Sequence, residues 1–353
     1  MFNQHPYLTP KANKKKWLLS YLNELTKYHY KHSPQYKRIL QTLFLFSESI
    51  DSKPFTELAS LPYIPSQIFK ELELKSVDND QVRITLHSSG TTSKNTSRIF
   101  LDQETSELQK TALNKILLSL LGNTRYPMII VDSLSLLKNR ATFNARLAAI
   151  LGFMRCGFDH LFLLDENMQI RTSELQQFLK RYETRKILIF GFTSLIWQYL
   201  YKSPFELNLQ NGVLIHGGGW KKLQEQAVSN TKFKAQLRDR FNLTEIYNYY
   251  GFIEQTGSIF LECSEGVLHT PIFADIIVRD SVSLKPVPNK KIGLLQTLSV
   301  LARSYPGHSV LTEDLAVCEG EDDCRCGRLG KYFTILGRHA QAELRGCSDT
   351  YTN

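Results

Sequence analysis

The chain has 353 residues, 42% hydrophobic and 22% charged, enough for one large domain or two ordinary ones and too apolar to be disordered. Apolar runs such as ILLSLLG and HLFLLD fall far short of the roughly 20 residues a membrane span requires, so no membrane span is expected. The N-terminus has basic residues but no apolar signal core, which reads as cytoplasmic. Lys and Arg outnumber Asp and Glu by 43 to 34, a net charge of +9. That excess favours anionic partners, but the basic residues are scattered without an aromatic–basic recognition motif, which argues against nucleic acid.

In chain order, residues 11 to about 46 carry helical spacing, with Trp17, Leu18, Tyr21, Leu22 and Leu25 on one face. KANKKKW is read as that helix's solvated face. A Pro-containing connection follows. From residue 82 strand and helix alternate: VRITLH, a hydroxyl-rich loop, the helical QETSELQKTALNKILLSLL, then PMIIVD, a helix near 139–151, HLFLLD, a helix near 172–183, KILIFGF, a helix near 193–201, and GVLIH. Short apolar strands between amphipathic helices imply an α/β sheet, largely parallel at its centre. After TEIYNYYG the pieces become short and strand-like (SIFLEC, FADIIV, IGLLQTLSV, SVLTEDLAVC, KYFTILG), which implies a β-rich subdomain.

The loop after VRITLH, SSGTTSK (Ser88, Ser89, Gly90, Thr91, Thr92, Ser93, Lys94), is the first candidate site. Backbone N–H groups and hydroxyls can wrap phosphate oxygens there, with Lys94 and Arg98 adding charge-assisted contacts. It is not a Walker loop, and a solvated Ser/Thr-rich turn is the plainer reading of it alone. Four further pieces add to it: HGGGW with Gly217, Gly218 and Gly219 after a strand; YYGFIEQTG with Tyr250, Gly251 and Glu254; SVLTEDLA with Asp314 at a strand end; and ILGRH with Arg338.

Their order and spacing resemble the adenylate-forming superfamily of acyl- and aryl-CoA ligases. SSGTTSK, YGFIEQTGSIF, PGHSVLTEDLA, CRCGRLGKYF and AELRGCSDTY together are similar to one branch of it, the acyl-protein synthetases, which include the fatty-acid-activating component of the bacterial luminescence fatty acid reductase. The resemblance covers residue 80 to the C-terminus and implies an α/β fold: the superfamily's N-terminal large domain with a β-rich subdomain, its small C-terminal domain reduced to a short tail. The expected organisation is a helical segment over 1–80 packed on the main domain, the nucleotide- and acyl-binding α/β part over 81–257, the β-rich subdomain over 258–337, and a hinge with an acyl-acceptor tail over 338–353.

The resemblance implies ATP and Mg²⁺ as cofactors. Ser88–Lys94 would hold the triphosphate, Glu254 would ligate magnesium, Asp314 would bind the ribose hydroxyls, and Arg338 would contact the nucleotide or set the hinge. Gly217–Gly219 would let backbone approach the adenine and acyl groups. TEDL stands here where the wider superfamily has TGDL, with Glu313 replacing the glycine. Cys347 would be the acyl acceptor, activated by the adjacent Arg345, passing the acyl group from a carboxylic acid, a fatty acid by the resemblance, to a partner reductase or carrier protein. The alternative is a ligase delivering to coenzyme A or another small thiol or amine; a non-catalytic nucleotide- or acyl-binding module is the third reading.

Of six cysteines, Cys263, Cys324 and Cys326 join His269 as four soft or borderline donors, the number a closed tetrahedral zinc site needs. The bland alternative is four reduced side chains that happen to be near one another. Cys156 and Cys318 lie in apolar contexts and are read as buried thiols.

Overall fold

A computed structural model describes residues 3–45, 54–88, 96–138 and 144–339. The chain divides into two compact units. The first draws on described residues up to 119 and from 251 onward; the second is residues 120–250. Among the described residues the strands are, in chain order, β1 (Ile64–Pro65), β2 (Ile84–His87), β3 (Arg98–Leu101), β4 (Tyr126–Ser133), β5 (Gly157–Leu164), β6 (Ile187–Phe192), β7 (Gly212–Gly217), β8 (Glu245–Tyr250), β9 (Phe260–Glu262), β10 (Leu268–His269), β11 (Ala274–Arg279), β12 (Ile292–Ser299), β13 (Ser309–Glu321) and β14 (Lys331–Arg338).

The second unit carries the parallel strands, ordered β8-β7-β6-β4-β5. Both β6 and β7 are buried at every residue, as a strand covered on both faces requires. Helices Ala145–Met154, Thr172–Arg181 and Asn230–Phe241 accompany them. The last lies where the sequence reading places no element, although Phe233, Leu237 and Phe241 repeat at four residues and are fully buried. Its N-cap is Ser229, whose hydroxyl accepts from the amide of Lys232, and it ends on Asn242 in the left-handed region. Arg146 and Asp132 form a fully buried ion pair, with Nε–Oδ2 at 2.7 Å and Nη2–Oδ1 at 2.5 Å.

The first unit is largely antiparallel, ordered β11-β12-β13-β14-β10-β9, with β1 pairing parallel to β13 through Ile64↔Val310 and Pro65↔Leu311. The single helical stretch expected from residue 11 is two helices, Lys11–His32 and Pro34–Leu43. Pro34 has no N–H to donate, and Ser33 before it is pushed into extended backbone at φ −123°, ψ 100°. The buried stripe runs Lys14, Leu18, Leu22, Leu25, His29, while Tyr21 is exposed. Lys14 therefore leaves the solvated face assigned to it: its ammonium donates to the Thr270 carbonyl at 3.0 Å and hydroxyl at 2.7 Å. Cys156 and Cys318 are buried, and burial pushes both thiols up to about 11. No helix among the described residues is long and apolar enough to cross a membrane.

Candidate functional site

Strand β2 turns back as β3 in an antiparallel hairpin with His87 opposite Arg98, so the hydroxyl-rich loop joins two strands rather than a strand and a helix. Ser88 closes its base. The Ser88 amide donates to the Ser97 carbonyl at 3.0 Å, and the Ser88 hydroxyl accepts from the Ser97 amide at 2.9 Å. Ser89, Gly90, Thr91, Thr92 and Lys94 lie outside the described residues, as does Cys347. Arg98 is engaged on the surface by Glu73 at 2.6 Å.

Glu254 sits on a single turn, Ile253–Gln255. Its neighbour fixes that turn: the buried Gln255 amide donates to the carbonyls of Thr297 at 3.1 Å and Gly307 at 2.9 Å. Tyr305 completes the mounting, its hydroxyl donating to the Glu254 carbonyl at 3.0 Å. Glu254 is 7% exposed. Burial raises its pKa, while the Ser97 hydroxyl and the charges of Lys70 and Arg338 pull it down. A buried carboxylate set among cations and hydroxyls is chemically suited to a hard cation bound with phosphate oxygens.

Asp314 lies inside the long strand β13, not at a strand end, because the ladder continues to Glu321. Register places it opposite Arg338 of β14. Arg338 Nε lies 3.6 Å from Asp314 Oδ1 and its Nη1 3.8 Å from Glu313 Oε2. Glu313, the departure from glycine, also accepts from the side-chain amide of Gln67. The first unit thus brings Ser88, Glu254, Asp314 and Arg338 into one body.

In the second unit, β7 ends at Gly217, and a Cβ there would stand 2.5 Å from the Tyr249 ring; the close approach explains the glycine. Gly218 and Gly219 follow it, and Tyr250 is the half-buried last residue of β8, with Gly251 next. His216, before the glycines, is buried, and burial, then the charge of Lys234, lowers it to about 3. Thr193 meets it at Nδ1, 3.0 Å, and donates to the Gly217 carbonyl at 3.1 Å. The sequence reading gives no role to Thr193, which stands in no motif, or to His216, which opens HGGGW but is passed over for its glycines.

The four metal donors converge. The ligand atoms of Cys263, His269, Cys324 and Cys326 all lie within 4.8 Å of one another, with Cys263 Sγ–Cys324 Sγ at 4.0 Å and Cys326 Sγ–His269 Nε2 at 3.4 Å. Two matched turns present the thiols: Gly266 N–H bonds the Cys263 carbonyl and Gly327 N–H bonds the Cys324 carbonyl, each at 3.0 Å, with φ +76° and +81° that favour glycine. Burial lowers His269 to about 3, keeping the imidazole neutral as a ligand must be. Burial and the neighbouring thiols hold Cys326 at about 12 without a cation. Residues 5–10 pass over this cluster: Pro6 and Tyr7 carbonyls accept from Ile272 and Leu329 at 2.8 Å, and the Arg328 guanidinium lies 4.5 Å from the Tyr7 ring centre.

The model of the acyl-protein synthetase family LuxE matches residues 1–353. A long-chain-fatty-acid–luciferin-component ligase of Vibrio harveyi is 24% identical over 338 residues, spanning 91% of this chain and 83% of that protein. One of Aliivibrio fischeri is 24% identical over 345 residues, spanning 92% and 85%. Among solved structures, an open conformation of 2-hydroxyisobutyryl-CoA ligase in complex with 2-HIB-AMP and CoA superposes with a TM-score of 0.73 at 17% identity, covering 94% of this chain and 76% of that one. That likeness establishes the fold.

Proposed function

The chain belongs to the LuxE acyl-protein synthetase family, and from that premise we propose that it activates a long-chain fatty acid with ATP and passes the acyl group through Cys347 to a partner reductase. The observation that carries this reading is the family match over the whole chain. A carboxylate oxygen of the acid attacks the α-phosphorus of ATP and pyrophosphate leaves, giving the acyl-adenylate. The Cys347 thiolate then attacks the acyl carbon, AMP leaves with the bonding pair, and a thioester remains. The alternative expected from sequence, delivery to coenzyme A, has no separate observation in its favour.

Asp314 accepts from the ribose hydroxyls, a task suited to a half-buried carboxylate with two acceptor oxygens. Arg338 sits against it and moves the local charge balance toward an anion. Ser88 anchors the loop whose amides and Lys94 wrap the phosphates. Gly218, Gly219, Tyr250 and Gly251 are the residues this reading assigns to the adenine and acyl groups. Glu254 holds Mg²⁺, which when bound neutralises charge on the phosphates. Zinc fits Cys263, His269, Cys324 and Cys326: three sulfurs and one imidazole within 4.8 Å form a donor set suited to that metal. Its role is structural, since the four donors leave no open position.

The test uses labelled fatty acid and ATP on wild type and Cys347→Ser. Both should release acid-dependent pyrophosphate, and only the wild type should carry a hydroxylamine-labile label. A thioester persisting in the variant overturns the acceptor. Absence of acid-dependent exchange in the wild type overturns activation, and acyl-CoA formation without protein label hands the case to the coenzyme A ligase.

A further inference from the structure

The short stretch Ile64–Glu71, read from sequence as a connection, is bound to both segments that carry the candidate nucleotide residues. Its strand β1 lies parallel on β13, and the Ser66 amide donates to the Leu311 carbonyl at 2.9 Å, three residues before Asp314. Gln67 donates to Glu313. Phe69, fully buried, meets the ring of Tyr305 edge-on at 6.5 Å between centres, and the Tyr305 hydroxyl holds the Glu254 carbonyl. Lys70 follows Phe69 on the helical turn Ile68–Glu71, its amide bonded to the Gln67 carbonyl at 2.9 Å.

We propose that Lys70 is a further ATP-binding residue of the reaction proposed above, its ammonium contacting the polyphosphate that leaves as pyrophosphate. Three anchors just before it, at Ser66, Gln67 and Phe69, leave the turn little freedom, so the backbone presents the lysine at one place. Among the described residues, Lys70 and Arg338 both lend positive charge at the Glu254 carboxyl. Arg338 faces Asp314 and Glu313, on the ribose side of that assignment, so Lys70 joins Lys94 on the phosphate side. A point charge on a flexible stem suits a group whose charge is built up as the P–O bond breaks. The rival role is a plain ion-pair partner that holds Glu254 in place.

The experiment measures ATP and AMP affinity by calorimetry for wild type, Lys70→Met and Lys70→Arg, with melting temperatures alongside. Lys70→Met should weaken ATP at least about tenfold, as loss of one charge-assisted contact does, leave AMP within about twofold, and melt near the wild-type temperature. Lys70→Arg should recover most of the ATP affinity. ATP affinity unchanged in Lys70→Met, or ATP and AMP weakened alike, overturns the assignment in favour of the structural role. The inference rests on the adenylation reading but fails separately from it. A wild type that binds ATP without acid-dependent pyrophosphate exchange sinks fatty-acid activation, while the ATP-to-AMP ratio still decides Lys70. A wild type that binds neither nucleotide overturns both.

Discussion

The hairpin β13–β14 has two ends built to opposite rules. At its turn, residues 322–330, the chain satisfies itself: Asp322 accepts from the amides of Gly330 and Lys11, the Arg328 amide reaches Cys326 Sγ, and the Arg328 guanidinium donates to the Leu261 and Glu262 carbonyls. At its other end, Arg338 lies 3.6 Å from Asp314 and 3.8 Å from Glu313, attracted but beyond hydrogen-bond length. The first arrangement holds the fold. The second leaves charged side chains at ion-pair distance, in the half-exposed setting where such a pair alone adds little stability.

Breaking the turn end should give the larger effect. Cys326→Ser, or chelation of the wild type, should remove about one zinc per chain and lower the melting temperature by on the order of 5–10 °C, because metal affinity at a folded site is folding free energy. Metal analysis with a melting curve checks it, and a metal-free preparation of undiminished stability would break the contrast between the two ends.

Next comes the ligand end. Asp314→Asn should reduce kcat/KM for ATP by roughly 10- to 100-fold, the effect of losing hydrogen bonds to a charged acceptor, while leaving melting and zinc content unchanged. Loss of both activity and stability would mean that Asp314 belongs to the framework after all.

The smallest effect concerns Lys14, which joins the first helix to the turn end through Thr270. Burial depresses it to about 8, against the opposing pull of Asp275, Glu321 and Asp322 and with the help of Lys331's charge. Below pH 8 it is protonated in both folded and unfolded chains. Between about 8 and 10.5 the folded chain has released the proton and the unfolded chain still holds it, so this lysine's contribution rises with pH, by at most about 1.4 kcal/mol per pH unit. Lys331 is shifted upward instead, so the wild-type curve mixes two opposed slopes. Denaturant midpoints of wild type and Lys14→Met across pH 7–10.5 isolate the term, and parallel curves would refute it.

What could be read from sequence follows the same division. The metal donors were legible because a chain rarely places Cys-x-Cys and a Cys/His pair at matching turns without a use for them, and the structure brings all four together. The parallel core was legible from apolar runs, and family motifs marked Glu254, Asp314 and Arg338. Lys14 and Lys70 were not. Each depends on partners more than 180 residues away in sequence, Thr270 and Glu254, and no local pattern distinguishes a lysine with such a partner from one in solvent. The helix at Asn230–Phe241 was missed because its charged residues mask a buried stripe only one residue wide per turn.

The pairing of β1 with β13 has a bearing on how the protein is made. Ile64 waits for Val310, so on the ribosome β1 emerges long before the strand it pairs with. At roughly 5–20 residues per second that interval is on the order of 10–50 s. Through it Leu18, Leu22, Leu61 and Phe69, all buried in the finished molecule, face water or a chaperone. The first unit, which draws on residues from 251 onward, is thus completed last.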